Sequence, residues 1–318
     1  MAVFILKRIF ISIILIFIIS LFAFSLMHIL PGDPARMVLG EDVKQEDIDR
    51  LREKLNLNKP LTEQYYLWIK GMINGDFGYS IMYSRPVGDI LAERLPRTLS
   101  IGIPAIIIAA VVGILLGVVS AIKRGSWIDQ FITLLSTIGI GTPTFWIGIL
   151  GIFFLGMKLK LLPIQGFVNP SENFLEYIRH AAMPVFCLAI ALVASVVRQT
   201  RSNMLDEINQ DYVRTARANG IKRSSIFLKH SLKNALIPIV TVIALQVRIA
   251  IGGALIIEAV FNIAGMGQLI RLAVLNRDYL IVQGVVFVIA LVIVCLNSIV
   301  DILYGLIDPQ IRLVRGKL

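Results

Sequence analysis

At 318 residues, 57% of them hydrophobic and only 16% charged, this chain is far more apolar than an ordinary soluble domain and reads as an integral membrane protein. Its formal net charge of +10 is what basic loops on a cytoplasmic membrane face produce, and no nucleic-acid motif accompanies it, so nucleic acid is not an expected partner and membrane lipid is.

Six apolar windows, near residues 9–30, 99–122, 131–157, 181–197, 236–257 and 280–307, are long enough to cross a hydrocarbon core of about 30 Å as helices. They lack the period-two alternation of a membrane barrel. The expected fold is therefore all-α, a single transmembrane domain over residues 1–318 with six helices and both termini on one side. The first window follows Lys7 and Arg8, exceeds a signal-peptide core in length and runs into HILPGDP instead of a small-residue cleavage site, so a retained helix is expected.

The loop after it, residues 31–98, carries two amphipathic patterns. Ile48, Leu51 and Leu55 recur at helical spacing before Pro60 as a stop, and Tyr65, Trp68 and Met72 share a face before Gly75. An outside partner and a cap on the chain's own helices explain that aromatic face equally well. Pro104, Gly113 and Gly117 in the second window, Gly139, Gly141 and Pro143 in the third, and Gly252 and Gly253 in the fifth are candidate bends, although close helix packing is the commoner use of any one glycine. Between the third and fourth windows Pro163 and Gly166 break the chain, and SENFLEYI fits an interfacial helix begun by Ser171.

Charge sets the orientation. If the termini face the cytoplasm, so do residues 123–130 and 198–235, and that side holds fifteen Lys or Arg against five acids, whereas the other side is balanced. Ten of the outer basic residues lie in the long first loop, and loops of that length translocate largely regardless of charge.

The cytoplasmic loop 198–236 contains the most patterned polar segment. Residues 211–238, DYVRTARANGIKRSSIFLKHSLKNALIP, hold six Lys or Arg and a single Asp. Asp211 is placed to cap a short helix with Tyr212, Val213 and Ala216 toward one face and Arg214, Arg217 and Ala218 on the others, and Gly220 supplies a left-handed stop. A second helix restarts near Ser224 or Ser225 with Phe227, Leu228 and Leu232 as apolar contacts, and Pro238 enters the fifth window. The small residues at 216 and 218 suit a helix seated in another protein's groove, but the spacing fits a helix lying on anionic lipid equally well.

DYVRTARANG followed by HSLKNALIP resembles the cytoplasmic loop of binding-protein-dependent ABC transporter permeases, in the peptide and nickel branch. The likeness extends in order through LPGDPA, GDFGYS, GTPTFWIG, RHAAMP, EAVFNIAGMGQL, NRDY and DPQIR. It implies that Asp211, Tyr212, Arg214, Thr215, Ala216, Arg217, Ala218 and Gly220 form a coupling helix that enters a cleft of an ATP-hydrolysing subunit. The broader family often opens this motif with Glu-Ala-Ala, where this chain has Arg214, Thr215 and Ala216. The resemblance further implies a homologous second permease, two ATP-binding subunits, an extracytoplasmic solute-binding protein and a bacterial or archaeal inner membrane. The expected cargo is a di- or oligopeptide, with nickel chelates, glutathione or sugars as alternatives.

No GxxxxGK followed by Ser or Thr occurs, so ATP and Mg belong on partner subunits and no cofactor is expected on this chain. Neither is a catalytic set. His28, His180 and His230 are scattered and hold no metal site, and Cys187 and Cys295 lie inside apolar windows. An ion-coupled carrier would carry carboxylates within its helices, for which Asp301 is the candidate.

Gln246 and Arg248 are assigned to the translocation path. Arg248 stands about twelve residues, or roughly 18 Å of rise, into the fifth window. A guanidinium at that depth faces a water-filled path or pairs with an acid of the partner permease, because facing lipid costs on the order of 3 kcal/mol.

Overall fold

The computed structural model describes residues 2–29, 35, 43–54, 56–80, 82–222 and 225–307. Most of LPGDPA, Ser224 and the closing DPQIR lie outside them, as do the side chains of Leu51, Leu55 and Leu228. Among the described residues the helices are α1 (Ala2–Ile29), α2 (Gln45–Lys54), α3 (Leu61–Ile73), α4 (Val87–Ile122), α5 (Trp127–Gly141), α6 (Thr144–Gly151), α7 (Phe174–Ile208), α8 (Asp211–Ala218), α9 (Leu232–Val260), α10 (Met266–Leu275) and α11 (Tyr279–Ile307). Widened π-type turns over Ile152–Lys158 and Ile226–Ser231 follow α6 and precede α9. Among the described residues five helices are long and apolar enough to cross a membrane, and α5 with the helix begun at Thr144 forms a bent sixth candidate.

The third window is broken at one of its candidate bends. It bends by 100° at Thr142–Pro143. Pro143 cannot continue a helical hydrogen-bond ladder and pushes its predecessor into extended backbone, and Thr142 accordingly has ψ 126°. The fourth window also differs. Asn173, not Ser171, starts α7 by accepting the Glu176 N–H at 3.1 Å, so LEYI forms the first turns of one 35-residue helix instead of a separate interfacial one.

The chain divides into two compact units, one built on Thr98–Ile263, the other on Leu6–Arg97 with Ala264–Cys295. In the first, α7 is central. Met183, Leu188, Leu192 and Val196 are buried together with Ile101 of α4 and Ile257 of α9. Of the two uses open to Gly113 and Gly117 in α4, the structure has packing: a Cβ on Gly113 would lie 2.6 Å from Val196 Cβ, and one on Gly117 would lie 2.5 Å from Thr200 Cβ and 2.9 Å from the Val197 carbonyl. They are four residues apart, hence on one face, and they let the backbones of α4 and α7 approach. Tyr177 adds a hydrogen bond from its hydroxyl to the Ser100 carbonyl at 2.9 Å.

In the second unit the aromatic face of α3 is spent on the chain itself. Tyr65 packs on Phe17 and Phe24 and shares a 2.6 Å hydrogen bond with Ser20, while Trp68 packs on Phe24 and Phe287. Gly75 ends the segment at φ +80°, as its position predicts. Pro60 precedes α3 rather than ending α2, which stops at Lys54. A two-residue ribbon, β1 (Tyr79–Ser80) with β2 (Arg85–Pro86), had no sequence signal. Ser80 donates to the buried Asp278 carboxylate at 2.6 Å, and the same carboxylate caps α11 by accepting the Ile281 N–H at 3.3 Å. Arg94 and Arg97 both donate to the Ala264 carbonyl, at 3.0 and 3.2 Å, and hold the chain just before α10.

Because a methyl group at residue 117 collides with backbone and a β-branched side chain at once, Gly117→Ala should cost about 1–3 kcal/mol. Gly102→Ala, where a Cβ meets nothing within 4 Å, should be neutral or stabilising. Thermal unfolding of the purified chain in detergent reads the difference, and equal midpoints would contradict this packing.

Candidate functional site

The polar end of the first unit is organised by one carboxylate. Asp129, in the first turn of α5, is 4% exposed and accepts four hydrogen bonds. Arg201 on α7 donates from Nε at 2.7 Å and Nη2 at 2.9 Å, Ser120 on α4 donates at 2.5 Å, and the Gly125 N–H donates at 3.0 Å. Such a bidentate pair offsets the desolvation of both charges only when its remaining lone pairs are filled, as these are. Three helices are thereby locked where they leave the apolar region. Sequence reading counted Asp129 and Arg201 merely as loop charges, because a pair 72 residues apart leaves no local signal.

Ten residues beyond Arg201 the chain turns through Asn209 and Gln210 into α8. Asp211 is the first helical residue, not the cap; Gln210 holds the cap position and its side chain makes no cap hydrogen bond. The far end matches expectation. Gly220 has φ +77°, its N–H reaches the Arg217 carbonyl at 3.0 Å, and the Ile221 N–H reaches Ala216 at 3.2 Å, the paired bonds of a Schellman stop.

Val213 is fully buried and Ala216 half-buried, so this face of α8 rests on its own chain. Asp211, Arg214, Thr215, Arg217 and Ala218 are exposed. Of the two small residues expected to seat against a partner, Ala218 therefore faces outward and Ala216 inward. Tyr212 fastens the helix: its hydroxyl donates to Glu207 at 2.6 Å, and Asn234 of α9 approaches the same carboxylate oxygen at 3.5 Å. Burial and then the Glu207 hydrogen bond push the Tyr212 phenol above its usual range, which keeps it a donor at any working pH. Glu207 thus links α7, α8 and α9, a role sequence reading did not assign.

Farther along α9, Gln246 is buried and donates to Ser195 on α7 at 2.6 Å, so it joins two helices. Arg248 points elsewhere. It is exposed and has no hydrogen bond or ion pair among the described residues, and it shares an exposed stripe with Thr241, Leu245, Gly252 and Ile256. Gln246 and Arg248 therefore occupy different faces and are not brought together. Asp301 is not the sole carboxylate within a span: Asp129 lies in the bent pair, and Glu258 on α9 is fully buried and accepts from Thr98 of α4 at 2.5 Å. Among the described residues no group of three His, Cys, Asp or Glu could hold a metal.

The family model for the binding-protein-dependent transport system inner membrane component matches residues 113–313, and its N-terminal companion matches residues 1–102. The chain belongs to this transport family. It is similar to the oligopeptide transport system permease protein AppB of Bacillus subtilis, with 38% identity over 98% of this chain and 100% of that one. A probable peptide ABC transporter permease of Sinorhizobium fredii, y4tP, is 36% identical over the same shares. Among solved structures, a chain of the MetNI methionine ABC transporter in an inward-facing conformation superposes with a TM-score of 0.55 at 18% identity, covering 69% of this chain and 96% of that chain. That likeness concerns fold alone. This membrane component is a transport subunit without covalent chemistry of its own.

The Asp129–Arg201 pair predicts a non-additive pattern. Asp129→Ala leaves a guanidinium without its counter-charge and should cost on the order of 3 kcal/mol. Replacing Asp129 and Arg201 together by leucine should recover much of that loss. Denaturant unfolding of the single and double variants measures the coupling, and additive losses would mean that the pair does not hold the three helices.

Proposed function

We propose that this chain is one of two membrane subunits of an ATP-driven importer that receives di- or oligopeptides from an extracytoplasmic binding protein. The single observation that carries the reading is α8: a short helix fastened to its own chain on one face while Arg214, Thr215, Arg217 and Ala218 are exposed on the other. The near full-length similarity to AppB and y4tP supports the peptide class. ATP and Mg sit on two partner ATPases, a homologous permease completes the path, and both termini and the 198–236 loop face the cytoplasm, while the 31–98 loop faces the binding protein.

In this mechanism α8 lies in a cleft of an ATPase subunit. When two such subunits close around ATP, the seated helices move together. Glu207, through Tyr212 and Asn234, passes the displacement to α7 and α9 without slack, and the locked joint at Asp129 makes α7 move together with α4 and α5. Alternating access follows from their relative tilt. The exposed stripe of α9 faces the path, where Arg248 attracts the carboxylate of a passing peptide.

Two outcomes follow. Ala218→Glu places an uncompensated charge in the cleft, at a cost of several kcal/mol, and should cut ATP-dependent uptake by at least roughly ten-fold while the chain stays in the membrane. Wild-type uptake would remove residue 218 from the joint, and Ala216→Glu, which tests inward packing, serves as the contrast. Arg248→Gln should slow import of free-carboxylate peptides more than of carboxyl-amidated ones, with assembly unchanged. Equal loss for both would assign Arg248 to pairing between permeases.

A further inference from the structure

Two cavities of the first unit share lining residues. The larger, about 800 Å³, is an apolar groove between α4, α5, the α6 segment and α7, with Val112, Leu135, Trp146, Phe186 and Val193 among its walls. The smaller, about 400 Å³, is lined mostly by polar residues, Arg124, Arg198, Arg201 and Asp206 among them. Ser136 and Val197 line both.

We propose that this composite site holds an anionic phospholipid, its acyl chain in the groove and its phosphate among the arginines. Length supports the fit. The groove follows α7 from Phe186 to Val197, which at about 1.5 Å per residue is about 16 Å, the depth of one leaflet of a core about 30 Å thick. The very next residue, Arg198, begins the polar pocket. Along α4 and α7 the hydrocarbon wall thus gives way to the cationic rim, as acyl chain gives way to headgroup in a phospholipid, while on α5 the two linings overlap from Thr133 to Thr137.

Charge supports it as well. Arg201 commits two of its five N–H donors to Asp129 and keeps three. The side chains of Arg124 and Arg198 have no hydrogen bond or ion pair among the described residues. With Arg201 paired to Asp129, the two unpaired arginines and Asp206 leave the pocket a net charge of +1, which suits the single negative charge of a phosphatidylglycerol headgroup. Guanidinium groups bind phosphate oxygens through paired N–H donors. The bound lipid would brace the turn from α7 toward α8. This site requires only that the unit be embedded in a membrane and is independent of which solute is carried.

The test uses the full-length chain with its co-purifying subunits in vesicles of equal parts phosphatidylglycerol and phosphatidylcholine, with a photoreactive diazirine on the acyl chain of one lipid or the other. Labelling mapped to the groove is compared with labelling at Phe10 and Ile13, exposed apolar residues of α1. The ratio of phosphatidylglycerol to phosphatidylcholine labelling should be higher in the groove than on α1, by roughly five-fold for each unpaired arginine. Arg124→Gln combined with Arg198→Gln should bring the ratio down to the α1 value while groove labelling itself persists, which shows that the fold is intact. Equal ratios at the two places in the wild type, a preference that survives the double substitution, or a groove that neither lipid labels because protein fills it would each overturn the proposal.

Discussion

Asp129 is nearly excluded from solvent, and a carboxylate taken out of water is tolerated only where its lone pairs are met by donors. Arg201, Ser120 and the Gly125 backbone meet them from α7, α4 and the turn before α5. That arrangement fixes the level and rotation of three helices at the same membrane face. Everything next to it inherits the constraint: the close glycine packing of α4 on α7 needs that rotation, and α8 begins only three residues after α7 ends.

For the proposed coupling role the consequence is mechanical: a joint transmits force only if it is stiff, and α8 is stiffened at both ends, by Tyr212 on Glu207 and by the Gly220 stop. Its outer face is polar and contains one small side chain, Ala218, among long basic ones, which allows close approach at one point and charge contacts around it. Gln246 bonded to Ser195 carries the same stiffness to the middle of α7 and α9. Arg248, turned to the opposite side, is left available to what lies beyond the chain.

Much of this was legible in the sequence. Apolar length gave the membrane class and the helical fold, Gly220 and Gly75 marked their stops, and the order of short motifs pointed to the transport family. The features that escaped are those set by distant partners or by a competing local rule. Asp129 and Arg201 looked like ordinary loop charges, Ser80 and Asp278 meet across 198 residues, and Glu258 sat in a quoted motif without any hint of Thr98 opposite it. Pro143 marks the bend in the third window, but the size of that bend, 100°, has no sequence signal, because hydropathy does not report backbone direction. Gly113 and Gly117 were open to either reading until Val196 and Thr200 stood against them. Helical spacing already put Ala216 with Val213 and Ala218 with the arginines; what it left open is which of the two faces rests on the chain itself, and burial answers that.

The central claim is that nucleotide hydrolysis on partner subunits, not an ion gradient, drives solute through this chain. Uptake of a radiolabelled peptide into proteoliposomes, with the full set of co-purifying subunits and the binding protein, decides it. The account predicts uptake that requires ATP on the side of α8 and is indifferent to collapse of the proton gradient. Uptake that persists without ATP and stops when the gradient is collapsed would contradict it.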